Sequence, residues 1–307
     1  MSRLNESQLL SVIDGALRRA GSVADLTDDC AYVESGAQLI TTDTLIEGVH
    51  FDSQLDTAEQ IGAQAAVQNL SDLAASGGRP LFLVWSLCLP PSWADEAERL
   101  SALAFGFARV ATEHGACVVG GNLSRIDGPL VIAVTAAGAC FGPSPLTRSG
   151  ARPGQAVYVS GRLGDAAAGV FDPSAATRLA RHGWRPHIAE AQALALWGGV
   201  GACMDISDGL LLDATRLART SGVTLALSRS AIPIGEAAAA LGKPALDLAM
   251  TGGEDYVLLF TAEGSPPIPA YRIGEVREAD VRGPLLLDLV PTLGRGFDHF
   301  GTASNAS

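Results

Sequence analysis

Acidic residues set among apolar and small neighbours constrain this chain more than any other feature. Asp28-Asp29 precedes a β-rich stretch, Asp43 lies near the end of LITTDT, and Asp72 follows Asn69 in QNLSDLAASGG. Asp205 and Asp208 lie in MDISDG, and Glu254-Asp255 in TGGEDY. A lone carboxylate in such surroundings is expensive to bury, so each needs a partner. Any one of them reads equally well as the cap of a helix or turn, a common task for Asp. Capping accounts for the whole set less well. Carboxylates also hold hard divalent cations through oxygen, and magnesium takes only one or two per ion, leaving phosphate and water to fill its shell. Several such residues at strand ends suit a cluster of magnesium ions around a polyphosphate.

The basic residues narrow the chemistry. Lys243 is the only lysine and sits in GKP, whereas a P-loop needs GK followed by Ser or Thr. Phosphate is therefore held by arginine, backbone amides or metal ions. Arg148 is a candidate clamp, although a single arginine is more often a surface residue. Glycine pairs at 77–78, 120–121 and 252–253 allow close backbone approach to a phosphate, and equally make turns. GRLGDAAAG, 161–169, opens a helix and could offer its amides to an anion, and reads equally well as small-residue helix packing. An isolated histidine is more often structural than functional, but the place of His50 in IEGVHF, eight residues after Thr42, makes it a candidate contact. A net charge of −12 repels nucleic-acid backbones and anionic membranes, so neither is expected as a partner. The longest apolar run, 81–89, stops at Pro90-Pro91, short of the ~18 residues a spanning helix needs. Residues 1–20 read as an amphipathic helix, not a secretory signal. The five cysteines are scattered, with no CxxC pair, which fits reduced thiols in a cytoplasm.

At 307 residues the chain is long for one core and fits two domains. The Gly/Pro/Ser-rich stretch 142–155 places the boundary, giving domains 1–146 and 147–307. Periodicity predicts helices over 57–76, 93–114 and 206–221. It predicts strands over 81–89, 116–119 and 130–141, and later over 223–228, 256–261 and 271–276. The fold class is α/β (α+β). NLSDLAAS at 69–76 and DISDGLLLD at 205–213 echo one another, each placing Ser-Asp at a predicted helix start.

TDDCA, TTDTLIEGVHF, NLSDLAASGGRP, LTRSGARPGQ, DISDGLLLD and TGGEDY occur in an order and spacing that resembles the thiamine-monophosphate kinases. That family shares a superfamily with aminoimidazole ribonucleotide synthetase, selenophosphate synthetase and a hydrogenase maturation factor. The resemblance covers nearly the whole chain. It implies a homodimer, with an N-terminal mixed β-sheet domain forming a barrel across the interface and a C-terminal α/β domain. It also implies metal positions at Asp29, Thr41, Thr42, Asp43, Asp72, Asn122, Asp205 and Asp208. Gly121, Asn122, Arg148 and Ser207 fall on ATP contacts, and His50, Glu254 and Phe297 on substrate contacts. Of these, Asp43, Asp72 and Asp208 carry the catalytic weight. Two departures stand out: Thr27 replaces the family's glycine before Asp28-Asp29, and Asn122 replaces the aspartate of its Gly-Gly-Asp motif.

The implied reaction uses ATP as co-substrate and several Mg2+ ions to convert thiamine monophosphate to thiamine diphosphate. The nucleophile is a phosphate-monoester oxygen whose second pKa is about 6, so it is mostly ionised at neutral pH and needs no general base. Positioning and electrostatics then supply the rate of in-line transfer. Two alternatives remain at this point: another ATP-dependent enzyme of the superfamily, or a non-catalytic nucleotide- or thiamine-phosphate-binding protein.

Overall fold

The computed structural model describes residues 28, 30–33, 38–172, 174, 178 and 180–297. The helix predicted over 1–20 and the metal position Asp29 lie outside the described residues.

Two sheets organise the chain, as the mixed α/β reading expects. The first contains β1 (Ala31–Val33), β2 (Gln38–Ile46), β3 (Gly78–Leu89), β4 (Cys117–Arg125) and β5 (Val131–Cys140). Its order is β1-β2-β5-β3-β4, antiparallel throughout except between β3 and β4. Alternation along β2 turns Leu39, Thr41, Asp43 and Leu45 toward the covered face and leaves Thr42 and Thr44 on the open one. The strand predicted over 116–119 runs on to Arg125, so Gly120-Gly121 lies in extended chain and not in a turn. There the glycine is required by close approach: a Cβ on Gly121 would collide with the Trp85 side chain and carbonyl.

Helix α1 (Ala58–Ala75) covers that sheet and starts at a Thr57/Gln60 capping box, close to the predicted boundary. The single helix predicted over 93–114 is instead a short α2 (Pro91–Ala94) followed by α3 (Ala97–Glu113), because Glu96 leaves helical geometry between them. α1 buries residues from every side, including Gln64, Asn69, Ser71 and Leu73. A helix buried all round needs a second covering layer. The second half of the chain supplies it: Ala74 and Ala75 pack with Ala191, Leu194, Cys203 and Phe260.

The second half carries β6 (Ala156–Val159), α4 (Asp165–Phe171), α5 (Ile188–Trp197), β7 (Val200–Asp205) and α6 (Leu210–Ser221). There follow β8 (Thr224–Leu227), α7 (Glu236–Ala240), α8 (Ala245–Thr251), β9 (Leu258–Ala262), β10 (Tyr271–Arg277), β11 (Leu285–Leu287) and β12 (Val290–Pro291). The sheet order is β12-β11-β8-β10-β6-β9-β7. Its edge strand β7 lies against α1, so the helix is shared by both halves. The echo between NLSD and DISD does not hold structurally. Residues 69–72 fall in the last turns of α1, whose start is already capped at Thr57, while only DISDG precedes a helix.

Candidate active site

The C-terminal turns of α1 draw acidic groups from both halves together. Thr41 Oγ1 donates to Asp72 Oδ2 at 2.5 Å, tying β2 to α1. One residue earlier, fully buried Ser71 donates to Asp205 Oδ2 at 2.6 Å, tying α1 to the end of β7. Asp43 stands on the same face of β2 as Thr41. These carboxylates surround one buried phenol. Burial pushes the Tyr256 hydroxyl well above its usual value, and Glu254, Asp43, Asp205 and Asp72 push it the same way. Capping does not explain Asp72, which sits in the last turn of its helix, where the macrodipole disfavours a carboxylate.

Asp208 lies in the turn between β7 and α6, and capping there falls to Asp213. Asp213 Oδ2 accepts from the amides of Asp208 and Gly209 at 3.1 and 3.0 Å. Arg216 Nη1 bridges Asp208 Oδ2 at 2.5 Å and Asp213 Oδ1 at 2.9 Å. Burial and then the Asp208 charge push Asp213 up to about 7, opposed by Arg216 and Arg148. Arg148 thus lies within electrostatic reach of this turn, and its own amide donates to Asp28 Oδ1 at 2.6 Å. The Phe297 amide donates to the Asp208 carbonyl at 2.9 Å, which ties this half-exposed residue to the same turn.

TGGEDY closes the site through a strained turn. Glu254 and Tyr256 both have positive φ, 66° and 51°, a region that non-glycine residues rarely adopt. The Ser207 carbonyl accepts from the Glu254 amide at 2.7 Å and the Ile206 carbonyl from the Tyr256 amide at 2.8 Å. The Gly164 amide donates to both Asp255 oxygens, at 2.9 and 3.0 Å. This corrects the expectation for GRLGDAAAG: an amide at that helix start answers the chain's own carboxylate, so an external anion would have to displace Asp255.

Glu254 and His50 meet through α1. Gln64 Nε2 donates to Glu254 Oε1 at 2.6 Å and to the His50 carbonyl at 3.3 Å. The Ile46 amide donates to His50 Nδ1 at 3.0 Å, so the neutral ring carries its proton on Nε2. Burial pushes Glu254 up to about 7, against the pull of Arg181.

Two predicted positions stand apart within one chain. Thr42 is on the open face, where its hydroxyl donates to the Val134 carbonyl. Asn122 shares a row with Ser86, Ala133 and Thr44 across four strands. Three strand spacings, about 14 Å, separate it from β2. Its side-chain amide donates to Ser124 Oγ at 3.2 Å, and Gly121 precedes it on the exposed edge. Among the described residues, no three His, Cys, Asp or Glu side chains group closely enough to hold an ion unaided.

Several participants escaped sequence reasoning. Tyr256 and Asp213 lay inside motifs already singled out, so apolar neighbours around a polar side chain were an available signal. Gln64 and Ser71 look like ordinary helix residues, and nothing in RHGW marks Arg181.

Comparison with known proteins fits this geometry. The family model "AIR synthase related protein, N-terminal domain" matches residues 27–140. The thiamine-monophosphate kinase of Corynebacterium glutamicum is 35% identical over 292 residues, 89% of this chain and 86% of that protein. The solved structure of AaThiL complexed with AMPPCP and TMP superposes with a TM-score of 0.87 at 32% identity, covering 98% of this chain and 99% of that one. The thiamine monophosphate kinase of Aquifex aeolicus gives a TM-score of 0.78 at 32% identity, covering 94% and 97%. With motifs, fold and 35% identity over most of the chain in agreement, the chain belongs to the thiamine-monophosphate kinase family.

Proposed function

We propose that this chain transfers the γ-phosphate of ATP to thiamine monophosphate, giving ADP and thiamine diphosphate. One observation carries the reading: Thr41–Asp72 and Ser71–Asp205 hydrogen bonds clamp carboxylates from both halves of the chain around a single helix end. The related AaThiL, solved with AMPPCP and TMP, supports the choice of substrates. The ionised phosphate oxygen of the acceptor attacks the γ-phosphorus in line, and ADP leaves with the electron pair of the broken bond. Within that reaction His50, Glu254 and Phe297 hold the acceptor. Arg148 and Ser207 meet the nucleotide phosphates, while Gly121 and Asn122 make their proposed nucleotide contacts separately, on the exposed β4 edge.

The donor set is all oxygen, which suits magnesium. Asp43, Asp72, Asp205 and Asp208, with Thr41, would hold such ions, which when bound neutralise the phosphates being brought together. Asp29 belongs to the same proposal on family grounds alone. Thr42 and Asn122 face away from this group, so their proposed contacts are with ions or phosphates on the open face.

We further infer a homodimer. Strand β4 is exposed along nearly its whole length, and Val119 and Leu123 are 61% and 65% exposed. Among the described residues only β3 pairs with β4, and an apolar strand edge left open is a liability that a second copy removes. The five free thiols suit a reducing cytoplasm. The proposed domains divide at 146/147. A coupled ADP-release assay tests the function, with thiamine monophosphate, without acceptor, and with the substrate of the ribonucleotide synthetase. ADP formation that ignores thiamine monophosphate would refute it.

A further inference from the structure

A buried cation ties together the acceptor residues but belongs to none of the motifs. Arg181 is 9% exposed. Its Nη2 donates to the His50 carbonyl at 2.8 Å and to Glu254 Oε2 at 3.4 Å, while Nη1 lies 3.8 Å from Asp56 Oδ2. Asp56 is itself buried and also contacts His182 Nε2 at 3.1 Å. One guanidinium therefore joins the turn after β2, the segment before α5 and the strained TGGEDY turn. Arg181 Nε meets no acceptor among the described residues. Burying a guanidinium with an unmet N–H is a costly way merely to hold a loop.

We propose that Arg181 is a positioning residue for acceptor recognition, holding the His50 turn and the Glu254 carboxylate in one fixed constellation. This rests on reading His50 and Glu254 as acceptor contacts. The planar fork suits the role, because it reaches a carbonyl and a carboxylate at once where an ammonium would serve only as a point charge. Gln64 completes the frame from α1, giving Glu254 one partner for each oxygen.

Other charged groups face the same region. Glu254 lines a cavity of about 340 Å³ together with Arg162, Asp165, Arg185, His187 and Asp255. Asp56 adds a like charge from the turn after β2 and Arg181 the opposing one. With Glu254 already pushed to about 7 by burial, loss of the Arg181 charge favours its neutral form further and moves its titration to higher pH.

The test compares wild type, Arg181→Gln, Arg181→Lys, Glu254→Gln and the Arg181→Gln/Glu254→Gln double variant. Thiamine monophosphate binding is measured calorimetrically without ATP, alongside steady-state kinetics, from below to above pH 7. Melting curves establish folding. Arg181→Gln should weaken thiamine monophosphate in Kd and KM by about tenfold or more, the size expected for a lost charge-assisted hydrogen bond, and leave KM for ATP near wild type. Its pH midpoint for acceptor binding should rise. Glu254→Gln should abolish that midpoint, and the double variant should bind little worse than Glu254→Gln alone. Arg181→Lys, which restores charge without the fork, should recover the pH midpoint but only part of the affinity. It also carries the test if Arg181→Gln does not fold. Unchanged acceptor affinity in the folded Arg181 variants, equal losses for both substrates, or additivity with Glu254→Gln would each overturn the positioning role while the functional reading stands. Failure of wild type to bind thiamine monophosphate overturns both.

Discussion

Asp72→Asn separates a metal-binding role from a structural one by opposite signs. The carboxylate sits in the last turn of α1, where the helix dipole is unfavourable by roughly 0.3–1 kcal/mol, and close to Asp43 and Asp205 around Tyr256. The Asn carbonyl can still accept from Thr41, so the 2.5 Å bond in the native protein keeps a substitute. Without metal the variant should therefore be more stable by about 1 kcal/mol, raising Tm by roughly 1–2 °C for a chain of this size. Magnesium with a non-hydrolysable ATP analogue, at about a hundred times its Kd, should stabilise wild type by about 2.7 kcal/mol, or roughly 4 °C. Asp72→Asn should lose about 1.4 kcal/mol of that for each tenfold loss in affinity. Turnover should fall by roughly 10²-fold or more. Differential scanning fluorimetry with and without the ligands, beside the ADP-release assay, gives every quantity. A variant that melts lower than wild type, yet responds fully to magnesium and turns over normally, would show that Asp72 serves only the fold.

Glu254→Gln should remove a pH-dependent penalty. Because the folded carboxyl is pushed above its unfolded value, from 4.5 to about 7, the native state binds more protons in that window and loses stability as pH rises through it. The variant should accordingly gain on wild type at pH 8 by at most about 3 kcal/mol and not at pH 4, as urea titrations at both would read. Phe297→Ala should raise KM for thiamine monophosphate several-fold and spare that for ATP, since ring stacking contributes about 0.5–1.5 kcal/mol beyond burial; equal rises would assign the tail a general structural role. Asn122→Asp should lower the magnesium needed for half-maximal activity at saturating ATP, because a full charge replaces a carbonyl dipole. An unchanged requirement would mean that Asn122 contacts no ion.

The sequence by itself determined the chemical inventory. Acids flanked by apolar and small residues, together with a single lysine outside any P-loop, already restricted phosphate handling to metal, arginine and amides. The period-2 alternation of β2 and the Thr57 start of α1 were legible because both follow from local geometry and capping. What local pattern does not carry is which motifs meet, since residues 31, 134 and 190 positions apart are joined by tertiary packing alone. Burying α1 on all sides forced Ser71 and Gln64 to find partners from the second half of the chain, and the same packing set Asp72 against Thr41 in the last turn of the helix, where it caps nothing. Tertiary packing elsewhere gave the GRLGDAAAG amide to Asp255 and placed Arg181 between His50 and Glu254. It also set Thr42 and Asn122 on the open face of their sheet, because strand register fixes where side chains point only once the strands have paired.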